Sequence, residues 1–329
     1  MPKIVRFHAL GGPENLKIEE LPSRTPGEGE VKLRVQAIGL NRAELGFMQG
    51  WYPLDKPELP SRIGYEASGT VESVGAGVDS SWVGKKIATI PGFPMSKNGV
   101  LGEEAIVPAS SLAEYPARLS PAEGAAIWMQ YLTAYGALVT YGGLKKGDFV
   151  VIPAASSSVG LAAIQIVNIE GAVSLAATRK SDKRAELLAL GAKHVIVTEE
   201  EDIVQRVNEI TGGEGARLIF DPVGGPWVEK LAEAAAYHGI IFIYGGLSMQ
   251  PTPFPMTAFR KGLSLRAYTL TEIRREPELL KAAKKYVYDR LADGRFHPQI
   301  AKIFPLAQSV EAFQYLASNQ QVGKVVITA

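Results

Sequence analysis

Phe149-Val150-Val151-Ile152-Pro153-Ala154-Ala155-Ser156-Ser157-Ser158-Val159-Gly160 is the stretch from which the rest of the chain is read. Four apolar residues in a row fit a short strand buried on both faces. A turn of small residues follows, and then an apolar segment, 159–170, of helical length. The pattern repeats downstream. Gly171-Ala172 precedes a strand at 173–177, and a helix at 181–190 leads through Gly191-Ala192 to a strand at 194–198. A helix at 203–211 feeds a strand at 218–220, and a helix at 226–237 feeds one at 239–244. Such sustained alternation predicts an α/β domain with a doubly wound parallel sheet.

Upstream, the apolar residues Val31, Leu33, Val35 and Ala37 alternate with Lys32, Arg34 and Gln36, the period of a half-buried strand. Strands at 67–78 and 85–90, set among glycines and prolines, predict a β-rich barrel or sandwich for about the first 120 residues. Ser120 followed by Pro121 has the chemistry of a helix start. Beyond residue 265 the alternation stops, leaving a charged helix at 276–293 and a terminal strand at 322–328. That tail is too short for a third domain and is expected to complete the first, which makes the α/β domain an insertion. The expected division is 1–122 with 266–329, and 123–265.

Composition narrows the function. The 329 residues carry 35 Lys and Arg against 34 Asp and Glu, too balanced to hold nucleic acid or an anionic membrane by charge alone. With no cysteine and only His8, His194, His238 and His297, thiol nucleophiles and cysteine-ligated zinc are excluded. The uncharged stretches 124–144 and 149–169 are broken by Gln130, Thr133, Pro153 and three consecutive serines, so neither is read as a membrane span. The N-terminus lacks the apolar core of a signal peptide, and a cytoplasmic location is the expectation.

In the opening stretch, Ala155, Ser157 and Gly160 stand where a Gly-x-Gly-x-x-Gly fingerprint puts its glycines; only the helix-packing glycine is kept. Small residues and helix N-terminal amides can still receive a pyrophosphate, although a tight turn in any α/β protein has the same look. Ala155, Ser156, Ser157, Ser158, Val159 and Gly160 are therefore the candidate phosphate loop. An acid about 20 residues after the loop usually meets a free ribose 2′-hydroxyl. Here the chain reads Thr178-Arg179-Lys180-Ser181-Asp182-Lys183, which puts Arg179 at the strand end and Lys183 one turn on. Two cations suit a 2′-phosphate, so NADP (NADPH) is expected over NAD; the plainer reading is a solvated cationic helix start.

Ala37-Ile38-Gly39-Leu40-Asn41, Gln49-Gly50-Trp51-Tyr52-Pro53, Gly64-Tyr65-Glu66-Ala67-Ser68-Gly69-Thr70-Val71 and Leu132-Thr133-Ala134-Tyr135 join the serine-rich loop in a resemblance to the medium-chain dehydrogenase/reductase superfamily. The resemblance spans nearly the whole chain and implies a GroES-like β-rich catalytic domain with an inserted Rossmann domain. Zinc alcohol dehydrogenases of that superfamily carry Gly-His-Glu where this chain has Gly64-Tyr65-Glu66, and a cysteine near the position of Asn41. With those ligands missing, no metal site is expected, and the chain resembles the zinc-independent quinone oxidoreductase and 2-enoyl reductase branch.

The resemblance implies hydride transfer from NADPH to a quinone or to the β-carbon of an α,β-unsaturated carbonyl compound. A bulkier acyl or polyketide-type substrate, or a crystallin-like NADPH-binding protein with little turnover, are the alternatives. It places Tyr52 as proton donor or carbonyl anchor, Asn41 and Thr133 near the nicotinamide, and Tyr244, Gly245 and Gly246 along the cofactor. Tyr52 could equally be a packed loop tyrosine, and Asn41 a turn residue. Glu66 is read as a structural hydrogen-bond partner. A homodimer through a free sheet edge is implied as well, with a small-molecule electrophile as the other partner.

Overall fold

The computed structural model describes residues 1–329, which divide into two compact units. One comprises Met1–Met129 with His297–Ala329 and the other Gln130–Phe296.

The first unit is built on the alternating strand Glu30–Gly39, whose Val31, Leu33, Val35 and Ala37 point inward as their spacing predicts. It pairs antiparallel with Ala67–Val74, Glu104–Pro108 and the terminal strand Lys324–Thr328. With Ile300–Pro305, Lys86–Thr89 and Leu112–Ala113 these make a seven-stranded sheet. A second sheet of three strands contains Leu16–Glu20, Lys3–Phe7 and Ser61–Arg62. Phe7, Leu33, Phe47, Ile63, Ile87, Phe313 and Val325 belong to a common core. Gly39 has no room for a side chain, since a Cβ there would lie 1.9 Å from the Ala125 carbonyl oxygen. The strand therefore lies directly against the segment after the short helix Pro121–Gly124.

The second unit has six parallel strands in the spatial order His194–Val197, Val173–Thr178, Phe149–Ile152, Ala216–Asp221, Ala235–Ile243 and Ser264–Ala267. In order of sequence that is 3-2-1-4-5-6, the doubly wound arrangement the alternation predicts. The direction of winding reverses between Phe149–Ile152 and Ala216–Asp221. A crevice at the carboxyl ends of two such strands is where sheets of this kind receive a ligand. Val150, Val151 and Ile152 are wholly buried, and the helix Ser158–Ile169 turns Leu161, Ala162, Ile164 and Ile166 into the interior.

Two readings change. The helix expected at 226–237 ends at Ala234, and the chain enters the strand Ala235–Ile243 at once, so the strand begins four residues earlier than its most apolar part indicates. Residues 266–296 belong with the second unit rather than the first, and 123–129 with the first. Packing explains the later return. Ser264–Ala267 is an edge strand of the parallel sheet, and the helix Pro277–Ala292 brings Tyr286 against Tyr135 with ring centroids 4.5 Å apart. Phe296 stacks on Tyr131, also at 4.5 Å, while the Tyr286 hydroxyl donates to Glu170 at 2.7 Å. No helix of the chain is long and apolar enough to cross a membrane.

Candidate functional site

In the second unit the turn after Ile152 delivers its amides to a helix start. Ser157 is the N-cap of the helix Ser158–Ile169, its hydroxyl accepting the Gly160 N–H at 3.0 Å. Ala155 is fully buried, held by a hydrogen bond from its N–H to the Ala177 carbonyl. Ala154 adopts φ +48°, a conformation that favours glycine, which permits the tight turn. A Cβ on Gly160 would come within 2.6 Å of the Ala155 carbonyl, so only glycine lets the helix sit this close to the loop. Ser156, Ser158 and Val159 are half-buried. The partial positive charge of the helix end and the serine hydroxyls together suit an anion. Ser157→Ala is expected to lower stability by about 1 kcal/mol through the lost cap, read as a fall in the thermal midpoint.

The cations picked out in the sequence lie beside this loop. Lys183 Nζ donates to Ser156 Oγ at 3.1 Å, joining the helix start after the second strand to the loop after the first. Burial lowers the Lys183 pKa, the Asp182 and Glu186 charges oppose this, and the nearby Arg179 guanidinium adds to it. Two like charges near the end of the strand suit a dianionic phosphate, with Asp182 the one carboxylate between them in sequence. Arg179 is exposed and Thr178 is buried at the end of its strand.

On the other side of the reversal point, Tyr244 stacks on Phe220 at 4.0 Å. Burial pushes its hydroxyl pKa well up, with the Asp221 charge adding and a contact to Ser157 opposing. Asp221 itself accepts the N–H groups of Val223 and Gly224 at 2.8 and 3.0 Å, which fixes the loop after its strand. Gly245 has the Pro222 carbonyl within 2.6 Å of any Cβ, whereas nothing stands within 4 Å of one on Gly246, leaving open space there. The strand ends thus bring together every expected cofactor residue of the unit except Thr133. That residue is buried in the helix Trp128–Tyr135.

The first unit holds a buried polar cluster. Lys324, 1% exposed, forms an ion pair with Glu66, which is fully buried, and donates to Asn41 Oδ1 at 2.7 Å. Asn41 Nδ2 donates to the Gly39 carbonyl at 3.0 Å and to Glu66 at 3.3 Å, and Glu66 also accepts the Met129 N–H at 2.9 Å. Both amide hydrogens of Asn41 are therefore engaged within the protein, and its Oδ1 accepts from the Lys324 ammonium. Glu66 has the structural role its sequence context implies. Lys324 escaped the sequence reading because 258 residues separate it from Glu66 and nothing in its strand marks it.

Beside this cluster, Glu44 in the first turn of the helix Arg42–Met48 accepts the Asn41 N–H at 3.1 Å. Tyr52 is half-buried and packs against the core, with Tyr65 beside it. Burial pushes the Tyr52 pKa up to about 12, and the charges of Asp55 and Glu44 contribute. The hydroxyl therefore keeps its proton throughout the neutral range. Trp51 and Leu54, next to Tyr52, and Leu10, which touches the Gly50 position, are exposed apolar side chains.

A parallel sheet with a loop of small residues at its reversal point, and a β-rich unit with a buried charge cluster, each have known counterparts. Residues 27–117 match the alcohol dehydrogenase GroES-like domain, and residues 158–285 match the zinc-binding dehydrogenase domain. The quinone oxidoreductase of Pseudomonas aeruginosa is 31% identical over 330 residues, covering 99% of both chains. The 2-haloacrylate reductase of a Burkholderia species is 28% identical over 327 residues, covering 98% of this chain and 97% of the relative. The crystal structure of the Escherichia coli quinone oxidoreductase complexed with NADPH superimposes with a TM-score of 0.92 at 28% identity, covering 99% of this chain and 100% of that one. The chain belongs to the medium-chain dehydrogenase/reductase superfamily, in its quinone oxidoreductase branch. It is an oxidoreductase with a GroES-like unit and a Rossmann unit.

Proposed function

We propose that the protein is a metal-independent NADPH-dependent reductase that transfers hydride to a quinone or to the β-carbon of an α,β-unsaturated carbonyl compound. The observation that carries this reading is the pair of cations at the second strand end, Arg179 and Lys183, with Lys183 bonded to Ser156 of the phosphate loop. When bound, NADPH would supply the hydride. Ser156, Ser157, Ser158 and Val159 would hold its pyrophosphate, Arg179 and Lys183 its 2′-phosphate, and Gly246 leaves space for close approach.

Tyr52 supplies a protonated hydroxyl for the oxygen or carbon on which charge develops, and the exposed Trp51, Leu54 and Leu10 favour an apolar electrophile. Metal independence is supported by the donor set. No three His, Cys, Asp or Glu side chains are grouped to hold a metal ion, and the Lys324 ammonium beside Asn41 and Glu66 would repel a divalent cation. The identity to the quinone oxidoreductase and the 2-haloacrylate reductase supports the electrophile class.

The test is oxidation of NADPH and NADH with 1,4-quinones and simple enones, in the wild type and in Arg179→Ala. One charge-assisted hydrogen bond of ~1.5–3 kcal/mol corresponds to a rise of roughly 10–100-fold in KM for NADPH, with KM for NADH unchanged. Equal use of both cofactors by the wild type would remove the 2′-phosphate assignment. Cofactor binding with no turnover of any electrophile would make this a binding protein. The reading includes a homodimer through the edge strand Ser264–Ala267, supported by the exposed Phe254, Met256 and Phe259 nearby; a monomeric mass in solution would count against it.

A further inference from the structure

A depression in the surface of the first unit is lined by Arg24, Arg62, Lys97 and Glu104, together with the apolar Ile4 and Ile106. Several elements meet there. Ile4 comes from the strand Lys3–Phe7, Arg62 from Ser61–Arg62, and Glu104 and Ile106 from Glu104–Pro108. Lys97 comes from the short helix Met95–Asn98, and Arg24 from the loop after Leu16–Glu20.

The charge in this depression does not balance. Glu104 is engaged elsewhere at both oxygens: Oε1 pairs with Lys32 at 3.0 Å, and Oε2 accepts the Ser23 hydroxyl at 2.7 Å. Lys97 pairs with Glu30, also at 3.0 Å. Neither the exposed Arg24 nor the half-buried Arg62 has a carboxylate partner, so two guanidinium charges are left over.

Arg62 is held where a cation alone is poorly placed. Ser61 turns into the interior, and Arg62 stands on the opposite face, directly across from Arg6 in the paired strand. The Arg6 guanidinium is tied to Glu19, so it offers Arg62 only like charge. Of its five N–H groups, Arg62 uses one, in a long hydrogen bond from Nη1 to the Gly99 carbonyl at 3.5 Å. Burial lowers the Arg62 pKa, the charges of Arg24 and Arg6 lower it further, and Glu104 opposes them. A cation drawn partly out of water, beside another cation and with no counter-charge, is costly, and an anion held by Arg62 and Arg24 removes that cost.

We propose that the depression is a binding site for a phosphate dianion, gripped by the Arg62 guanidinium and closed from the exposed rim by Arg24. A planar guanidinium presents parallel N–H groups that match two phosphate oxygens. The two leftover charges balance the nearly double negative charge of a phosphate group at neutral pH, whereas a carboxylate leaves one unanswered. The group is either the free ion or the head of a phosphorylated small molecule. None of the lining residues takes part in the proposed cofactor or electrophile sites, so the assignment does not depend on the reductase reading.

The test is titration calorimetry of inorganic phosphate into the wild type, Arg62→Gln, Arg24→Ala and Arg179→Ala, near neutral pH at a constant ionic strength of about 0.15 M. The wild type is expected to show a binding component that Arg179→Ala retains and that Arg62→Gln and Arg24→Ala each weaken about tenfold, the loss of one charge-assisted hydrogen bond. Arg24 is exposed, so Arg24→Ala decides the matter alone if Arg62→Gln does not fold. Glycerol 3-phosphate, titrated in the same way, separates the sources. Tighter binding than inorganic phosphate supports the site with a phosphorylated small molecule as its ligand, and equal or weaker binding supports it with the free ion. A wild type that gives no binding heat, a component lost in Arg179→Ala and kept in Arg62→Gln or Arg24→Ala, or acetate bound as tightly as phosphate overturns the proposal.

Discussion

Tyr52→Phe is expected to lower kcat for enone reduction by about 10²–10³-fold, the usual loss when one donor to a developing oxyanion is removed. The phenyl ring keeps the packing of the tyrosine against the first unit's core, so the variant is expected to melt with the wild type. KM for NADPH is also expected to hold, because the residues proposed to hold the cofactor lie on other elements. This combination separates a chemical role from a structural one. The tyrosine is suited to donation because burial, with Asp55 and Glu44 adding their charges, pushes its pKa up to about 12 and prevents premature ionisation. Stopped-flow measurement of NADPH absorbance at several pH values, with product analysis, checks it. Turnover within threefold of wild type would leave water as the proton source.

Lys324→Met is expected to cost roughly 3–5 kcal/mol of stability, the penalty for leaving a buried charge without its partner. The ammonium neutralises Glu66 and holds the Asn41 amide, both inside the unit, and methionine keeps only the apolar stem. The double variant Lys324→Met with Glu66→Gln is expected to regain much of the loss. Its glutamine carbonyl can still accept the Met129 N–H that Glu66 accepts now, and no charge remains uncompensated. Urea denaturation of the two single variants and the double variant gives the coupling between them directly. A Lys324→Met protein within 1 kcal/mol of wild type would show that water reaches Glu66.

The α/β unit was legible because strands buried on both faces are written as plain apolar runs, and the turn before a helix is written in small residues. Gly160 could be picked from its neighbours by its place in the loop, and the structure gives the reason in the contact a Cβ would make with Ala155. The Lys183 to Ser156 bond was within reach for the same reason, since both residues sit at strand ends whose order the alternation implies. Ala235 to His238 were not legible as strand: with Tyr237 and His238 exposed, that part of the strand has no apolar signature. The return point at His297 was hidden too, because the charged surface of the helix Pro277–Ala292 gives no sign that Tyr286 faces Tyr135.

In the first unit, Tyr52, Asn41 and Glu66 were named through the resemblance, and Lys324 was not. Glu44 lies in a helix that the strand signals around it obscured, and its seclusion depends on packing no local pattern records. Lys324 was invisible on any local criterion. An exposed lysine at the start of a strand and a wholly enclosed one are spelled alike.

The span between Glu66 and Lys324 also orders events in time. A growing chain presents the glutamate 258 residues before its lysine exists. At about 5–20 residues per second the ribosome leaves that acid without its counter-ion for roughly 13–50 s. The strand Lys324–Thr328, which pairs with the central strand Glu30–Gly39, arrives in the same late window. The segment Gln130–Phe296 has by then emerged complete. The inserted unit is thus complete first, and the unit formed by the two flanking segments closes around its own charges only with the last stretch of translation.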